Sequence, residues 1–376
     1  RDGSSRGDVG APGAIHDKLA WVYDTHVAIG DTLATSTTTT TPLIKGSIYG
    51  GGENGHNFHN AYVRINGGTI GIAEGEPIGS YTDGGASYPY RGNVYGGGCG
   101  TDKYDSDDDG TEDSFNPIAG IVQGNAIVHV TTGTVIHNVY GAGAMGSVGT
   151  ESSGGLTTIN ISGGTIGVSG TFGDGNVFGA ARGDKNVEDI GIAQVRETSV
   201  TISSGHVMGN VYGGGEVGNV GRFTNQSPVS VGNYTWNTSD TSNGLCTVSI
   251  TGGTIGPDNV ALSKDHGNVY GGGKGVSNTF ECEKAMVYRT NVAISNGSKV
   301  NGSVYGGGEV GRVENNTVVT IGTANGTDEP EIKGNVFGAG EGIKTHGYSA
   351  LVRGTSSATI QGKAKVLKNV YGGGEM

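Results

Sequence analysis

A short motif recurs nine times along the chain, and this recurrence limits the possible folds more than any other feature. Each copy has Ser or Asn, then Ile or Val, then an aromatic residue, then a glycine-rich run. The copies lie at 47–50, 93–96, 138–141, 176–179, 210–213, 268–271, 303–306, 335–338 and 369–372, numbered here as repeats 1 to 9. A unit that returns every few tens of residues indicates a stacked repeat architecture.

A second motif precedes most copies and has the pattern V-x-I-x-G-G-x-I. Examples are 63–70, 159–166, 200–207, 248–255 and 292–300. Alternation with a period of two predicts strands, and each Gly-Gly pair predicts a tight corner with positive φ after the strand. Such a unit cannot bury its own apolar face, but stacked copies can. We therefore predict an all-β fold, a parallel β-solenoid (β-helix) of about nine coils with loop insertions.

The composition supports a packed repeat fold. Glycine accounts for 76 of the 376 residues, well above the usual share of about 7%. Collagen is excluded because the glycines have no Gly-X-Y period, and the recurrence of Val, Ile and Tyr at fixed offsets argues against disorder. A β-propeller is the main rival, but a blade needs about four strands, which the shorter repeats hardly accommodate.

The motif also predicts domain boundaries. Residues 1–43 lack it and are expected to form an N-terminal cap or linker segment, whereas 44–376 form the solenoid repeat domain. Solenoids need such a cover over their first coil. The chain stops within a motif, which predicts an uncovered last coil that continues into further coils or stacks end to end on another copy.

Alternation along each motif assigns its side chains to two faces. The second position should form one interior row with parallel neighbours: Ile48, Val94, Val139, Val177, Val211, Val269, Val304, Val336 and Val370. The aromatic residues should then form a structural ladder on the other face: Tyr49, Tyr95, Tyr140, Phe178, Tyr212, Tyr270, Tyr305, Phe337 and Tyr371. Exposed rings would instead offer a platform for sugars, and a bulge could turn them inward. The recurrent Asn should form a hydrogen-bonded ladder with its own kind.

The position after each glycine run carries mixed charge. Its residues are Glu53, Cys99, Ala144, Arg182, Glu216, Lys274, Glu309, Glu341 and Glu375. Stacking in register predicts that Lys274 lies between Glu216 and Glu309. The last three residues are all Glu, and like charges in register are destabilising. These three must splay apart, pair with Arg312 or Lys344, or hold a cation.

One acidic loop has the spacing of a calcium site. Asp105, Asp107 and Asp109 precede Gly110, and this D-x-D-x-D-G pattern directs alternate carboxylates at one hard cation. We predict Ca²⁺ bound by these three, the Thr111 carbonyl and Asp113. The loop resembles a thrombospondin type 3 calcium loop. A solvated acidic loop without metal is the alternative.

Aromatic residues on polar insertions are candidate binding residues, because insertions of repeat proteins commonly carry their binding sites. They are Tyr81, Tyr88 and Tyr90 in one insertion, and Phe223, Tyr234 and Trp236 in another. Such loops suit a glycan or protein partner. The formal charge of −12 with no basic stripe argues against nucleic acid. The sequence contains no apolar run of about 18 residues, so it predicts no membrane-spanning segment.

The repeats resemble the glycine-rich VYGGG repeats of large secreted surface proteins of Bacteroidota-type bacteria, which are described as adhesin-like. The resemblance covers about residues 44–376. It implies an extracellular or cell-surface location and an adhesin-like or structural rod that binds glycan or a host or bacterial surface protein. It implies no catalytic residues. Two alternatives stay open: a polysaccharide-active lyase or hydrolase on a β-helix, and a self-assembling extracellular fibre subunit.

Overall fold

The computed structural model of the chain describes residues 20–30, 41–72, 82–83, 86–87, 92–101, 103–104, 114–168, 174–187, 191–225, 234–276, 284–327 and 329–376. Within these ranges the chain is all β, contains no α-helix, and pairs most of its strands in parallel. No helix there has the length and hydropathy needed to cross a bilayer. The predicted all-β class and parallel pairing are confirmed, and the stacked sheets are consistent with a β-solenoid.

The nine motifs form a nine-stranded parallel sheet, here called the motif sheet. Its strands are Ile48–Tyr49, Val94–Tyr95, Val139–Tyr140, Val177–Phe178, Val211–Tyr212, Val269–Tyr270, Val304–Tyr305, Val336–Phe337 and Val370–Tyr371. Each aliphatic residue pairs with the aliphatic residue of the next repeat, and each ring with the next ring. The repeats are therefore stacked in sequence order and in register.

The V-x-I segments form a second sheet of 14 strands, here called the long sheet. Its main strands are Thr25–Ile29, Ala61–Ile70, Ala126–Val135, Leu156–Ile166, Glu197–Val207, Leu245–Ile250, Arg289–Ile294, Thr317–Ile321 and Ser356–Ile360. Short strands extend it at Leu43–Ile44, Thr254–Ile255, Lys299–Val300, Glu331–Ile332 and Lys365–Val366. The strand Thr25–Ile29 belongs to the predicted cap or linker and pairs with Ala61–Ile70.

Four smaller pairs and a row of bridges complete the described architecture. Trp21–Val22 pairs in parallel with His56–Asn57. Three antiparallel pairs lie in insertions: Thr82–Asp83 with Ala86–Ser87, Lys103–Tyr104 with Ser114–Phe115, and Phe223–Asn225 with Tyr234–Trp236. Isolated parallel bridges link Val195, Val220, Val287, Val313 and Val352 in turn. These bridges give most of the described repeats a third stacked segment besides the two sheets.

The core lies between the motif sheet and the long sheet. It contains the second motif residues of repeats 1 to 8 together with the Val and Ile residues of the V-x-I strands, such as Val200 and Ile202. Those eight motif residues are at most 5% exposed, so the predicted interior row is confirmed for them. Val370 departs from the prediction at 44% exposed, because it lies in the outermost strand of the motif sheet.

The first glycine after the aromatic residue of repeats 1 to 8 lies where the next repeat leaves no room for a side chain. A Cβ atom on Gly213 would lie 2.2 Å from the carbonyl oxygen of Gly271 in the next repeat, and one on Gly179 would lie 2.1 Å from that of Gly213. The motif therefore requires glycine at this position because of the close approach and not because of a positive φ, since neither residue has one.

Two of the Gly-Gly pairs of the V-x-I segments, within Ala61–Ile70 and Leu156–Ile166, differ from the predicted corners. The strand Leu156–Ile166 runs through its pair, and its register with the next strand shifts between Ile161 and Thr165, as in a β-bulge. Gly164 has φ +79°, whereas Gly163 is needed because its Cβ would lie 2.2 Å from the Thr131 carbonyl oxygen. The expectation that the pair follows the end of its strand is confirmed at Gly252 and Gly253, which separate Leu245–Ile250 from Thr254–Ile255, and is wrong for the pair within Leu156–Ile166.

A substitution at the close approach tests this packing. Gly213→Ala should lower the free energy of unfolding by about 2 kcal/mol, because the added methyl group must push neighbouring repeats apart. Gly297→Ala is the matched control, since a Cβ there meets no atom within 4 Å. Urea unfolding followed by circular dichroism measures both. Equal stability of the two variants would contradict the close approach.

Candidate functional site

The aromatic residues form a continuous stack on the side of the motif sheet opposite the core. Centroids of neighbouring rings are 4.6–5.0 Å apart, and the ring planes differ by 4–12°. The rings of repeats 2 to 8 are at most 5% exposed. Because each ring face in these repeats lies against another ring, the ladder offers sugars no platform there and serves to hold the repeats in register.

The predicted Asn ladder is present, with most of its bonds running from the backbone N–H of one Asn to the side chain of the preceding Asn, and with one direct bond between side chains, from Asn268 Nδ2 to Asn210 Oδ1 at 3.2 Å. The Oδ1 atom of Asn176 accepts a hydrogen bond of 2.7 Å from the backbone N–H of Asn210, and Asn210 Oδ1 accepts one of 2.8 Å from the N–H of Asn268. The Nδ2 atom of Asn210 donates to the Tyr212 hydroxyl at 3.1 Å. The Asn side chains thus bind the backbone of the next repeat and also orient the tyrosine hydroxyls.

The row of residues after the glycine runs lies beside the tyrosine hydroxyls, with an offset of two repeats. The hydroxyl of Tyr212 in repeat 5 donates to Glu309 Oε2 in repeat 7 at 2.6 Å. The same bond joins Tyr140 to Glu216 at 2.7 Å, Tyr270 to Glu341 at 2.6 Å, and Tyr305 to Glu375 at 2.5 Å. We call these four contacts the tyrosine–glutamate bonds. Each one ties three successive repeats together.

The backbone of the glutamate corner stays bonded to its adjacent repeats. The N–H of Glu309 donates to the Gly273 carbonyl of the preceding repeat at 3.1 Å, and the N–H of Glu341 donates to the Gly308 carbonyl at 2.9 Å. The offset of two repeats therefore belongs to the side-chain contacts between the tyrosine hydroxyls and the carboxylates.

Lys274 interrupts the glutamates, and the ladder changes with it. Its ammonium lies 3.2 Å from Glu216 Oε1, as the predicted alternation of charge requires. The aromatic residue two repeats before Lys274 is Phe178, which has no hydroxyl. In repeats 3 to 7 the aromatic residue is thus Tyr wherever the residue after the glycine run two repeats later is Glu, and it is Phe where that residue is Lys. The two rows are matched in sequence at an offset of two repeats.

Burial and charge set the protonation of this row. Burial raises the pKa of Glu309, although the Tyr212 hydroxyl and the Lys274 ammonium both act to lower it. Burial raises the pKa of Glu341 to about 7, and the charges of Glu309 and Glu375 add to the effect. Burial alone would lower the pKa of Lys274, but Glu216 and Glu309 raise it above its ordinary value. Arg312, a predicted partner of the row, pairs with Glu314 instead.

The outward side of the long sheet carries a flat array of uncharged side chains. Two central outward positions in each of its last six main strands form what we call the hydroxyl face: Thr158, Asn160, Ser199, Thr201, Thr247, Ser249, Asn291, Ala293, Val318, Thr320, Ser357 and Thr359. All twelve are partly or fully exposed, while their strand neighbours, such as Val200 and Ile202, are buried. The outward position before them is charged in two strands, at Glu197 and Arg289. Interrupted only by Ala293 and Val318, hydroxyl and amide groups repeat about every 4.8 Å across these strands and about every 6.6 Å along them.

The predicted binding aromatics of the second insertion fold back onto the protein. Trp236 is 8% exposed, and its ring centroid lies 4.5 Å from that of Phe223 and 5.3 Å from that of Tyr288. The guanidinium of fully buried Arg312 lies 5.2 Å from the Tyr234 ring centroid. Phe223 and Tyr234 are partly exposed, so only they could contact a partner.

The remaining predicted site residues lie outside the residues that the structure describes. Tyr81, Tyr88 and Tyr90 are outside them, and so are the calcium-loop residues Asp105, Asp107, Asp109, Thr111 and Asp113. No group of three or more His, Cys, Asp or Glu side chains that could hold a metal occurs among the residues that are described. The Ca²⁺ site stays a prediction.

Comparison with known proteins provides no relative for this chain. No protein-family model, no curated protein and no solved structure matches it. Its function must therefore be inferred from its own geometry.

The tyrosine–glutamate bonds can be tested individually. Tyr212→Phe should lower the free energy of unfolding by about 2 kcal/mol, because partly buried Glu309 loses a hydroxyl donor. Tyr95→Phe is the matched control, since the residue two repeats after it is Arg182 and not Glu. Urea unfolding measures both variants. A smaller loss for Tyr212→Phe than for Tyr95→Phe would contradict the role of the bond.

Proposed function

We propose that the nine repeats form nine coils of one parallel β-solenoid, which serves as a rigid rod in an adhesin-like secreted or cell-surface protein. In this proposal the hydroxyl face binds an extended, neutral polysaccharide. The observation that carries the proposal is that two adjacent central rows of that sheet, six strands wide, carry no charge in a chain of net charge −12, while charged Glu197 and Arg289 lie at their edge.

Physical chemistry supports this class of ligand. Hydroxyl and amide groups can donate to and accept from sugar hydroxyls, and no charge has to lose its hydration on contact. Ser and Thr side chains have few rotamers to lose, and the bonded strands hold them in place before binding, which lowers the entropic cost. A flat array with a regular repeat suits a polymer, which can form many weak contacts at once.

The partly exposed rings of Phe223 and Tyr234 are a second contact surface for a glycan or protein, as the sequence predicts for that insertion. This surface consists of two rings among the described residues, whereas the hydroxyl face extends over six strands and is the larger surface. The hydroxyl face is therefore our first candidate. A lyase or hydrolase would also bind polysaccharide, so the experiment must separate binding from cleavage.

The full chain should be tested on an array of neutral polysaccharides, with release of reducing sugar ends measured in parallel. The variant Thr201→Lys with Ser249→Glu places a neighbouring pair of opposite charges on the hydroxyl face. It should bind at least about tenfold more weakly, a loss of about 1.4 kcal/mol. Because opposite charges on facing residues stabilise a sheet, the fold should persist.

The control places the same charges off the face, as Val260→Lys with Leu262→Glu, at exposed positions of another insertion. It should bind as the unaltered chain does. Equal binding by the face variant and the control would contradict the hydroxyl face as the ligand site. Release of sugar ends would favour the enzyme.

A further inference from the structure

The glutamate row is compensated at one end and not at the other. Glu216 has the Lys274 ammonium 3.2 Å away. Glu309, Glu341 and Glu375 then follow in three successive repeats without a cation between them in the row. Glu341 and Glu375 form a parallel bridge, and the Gly342 N–H donates to the Glu375 carbonyl at 2.9 Å. Glu341 is thus the middle member of three stacked carboxyl groups.

Among the residues that the structure describes, few charges from other elements act on this group. Lys274 and Lys264 act on Glu309, and Asp265 opposes them. Lys264 also acts on Glu341, but more weakly than the Glu309 and Glu375 carboxylates. The other neighbours are the hydroxyls of Tyr212, Tyr270 and Tyr305, and burial keeps their pKa values above the ordinary range, so they stay protonated donors.

We infer that Glu309, Glu341 and Glu375 form an acid-strengthened lock that ties repeats 5 to 9 together. With a proton on Glu341, its carboxyl group can donate to a neighbouring carboxylate while still accepting from Tyr270. Without that proton, three carboxylates repel one another across adjacent repeats, and this repulsion loosens the corner at Glu341. The lock does not depend on the proposed ligand, and it stabilises the folded structure of the last repeats.

The direction of the pH effect follows from linkage. The pKa of Glu341 is raised from 4.5 to about 7 in the folded protein, so the folded state binds the proton more tightly than the unfolded chain. The stability from this group is fully present below pH 4.5 and is lost as the pH rises through 7. The usual paired carboxylate has the opposite effect, since it destabilises the fold in acid.

The test combines a titration with two variants of the full chain. In ¹³C NMR of glutamate-labelled protein, the Glu341 carboxyl should titrate near pH 7. The thermal midpoint of unfolding should fall from pH 5 to pH 8 in the unaltered chain. In Glu341→Gln, which supplies a fixed N–H donor in place of the proton, that fall should shrink by at least about half. The variant should also melt higher than the unaltered chain at pH 8.

Glu216→Gln is the matched control, because it makes the same change at the same type of tyrosine bond, which the amide oxygen can still accept, but lies beside Lys274. It should keep the full dependence of the midpoint on pH. Titration of the Glu341 carboxyl below about pH 5, or the same dependence in Glu341→Gln as in the unaltered chain, would overturn the lock. If a variant does not fold, the titration of the unaltered chain still decides.

Discussion

The lack of room for a side chain where successive repeats meet at the motif corners is the constraint on which the other features of this structure depend. At each motif corner the Cα of one glycine faces the carbonyl oxygen of the glycine in the next repeat, as Gly213 faces Gly271, with no room for a Cβ. Glycine at this corner lets the backbone hydrogen bonds of the parallel strands set the distance and the register between repeats. At that distance flat rings stack face to face, Asn side chains reach the next backbone N–H, and the valine rows close into one core.

The same stacking turns a sequence repeat into rows of like chemistry, and each row has a different consequence. Apolar rows exclude water, and hydroxyl rows on the outer side of the long sheet make a flat uncharged surface. A row of carboxylates, by contrast, accumulates repulsion with every repeat. The chain offsets this with Lys274 in one half and tyrosine donors throughout, and the uncompensated half is left sensitive to protons.

Much of the fold could be predicted because the repeat places equivalent residues in equivalent environments. The alternation around Val269 identified the buried side, and the recurring ring predicted the ladder. The two-repeat offset of Glu309 could not be predicted, because alternation along a strand assigns a side chain to a face and does not tell which repeat a long side chain beyond the glycine corner reaches. The sequence sign of this offset is that Phe178, and not Tyr, stands two repeats before Lys274. The burial of Trp236 escaped prediction because an insertion carries no repeat to reveal its orientation.

The central claim, parallel stacking in register across all repeats, is tested most directly by distances between spin labels. Tyr62, Thr158 and Ser357 occupy equivalent outward positions of the long sheet, with seven strand steps from Tyr62 to Ser357 and five from Thr158 to Ser357. Labels carried by a non-natural amino acid leave the three cysteines intact. With steps of about 4.8 Å, the two pairs should give about 34 Å and about 24 Å in pulsed electron paramagnetic resonance. Equal distances for the two pairs, or a shorter one for Tyr62 and Ser357, would contradict the stacked arrangement.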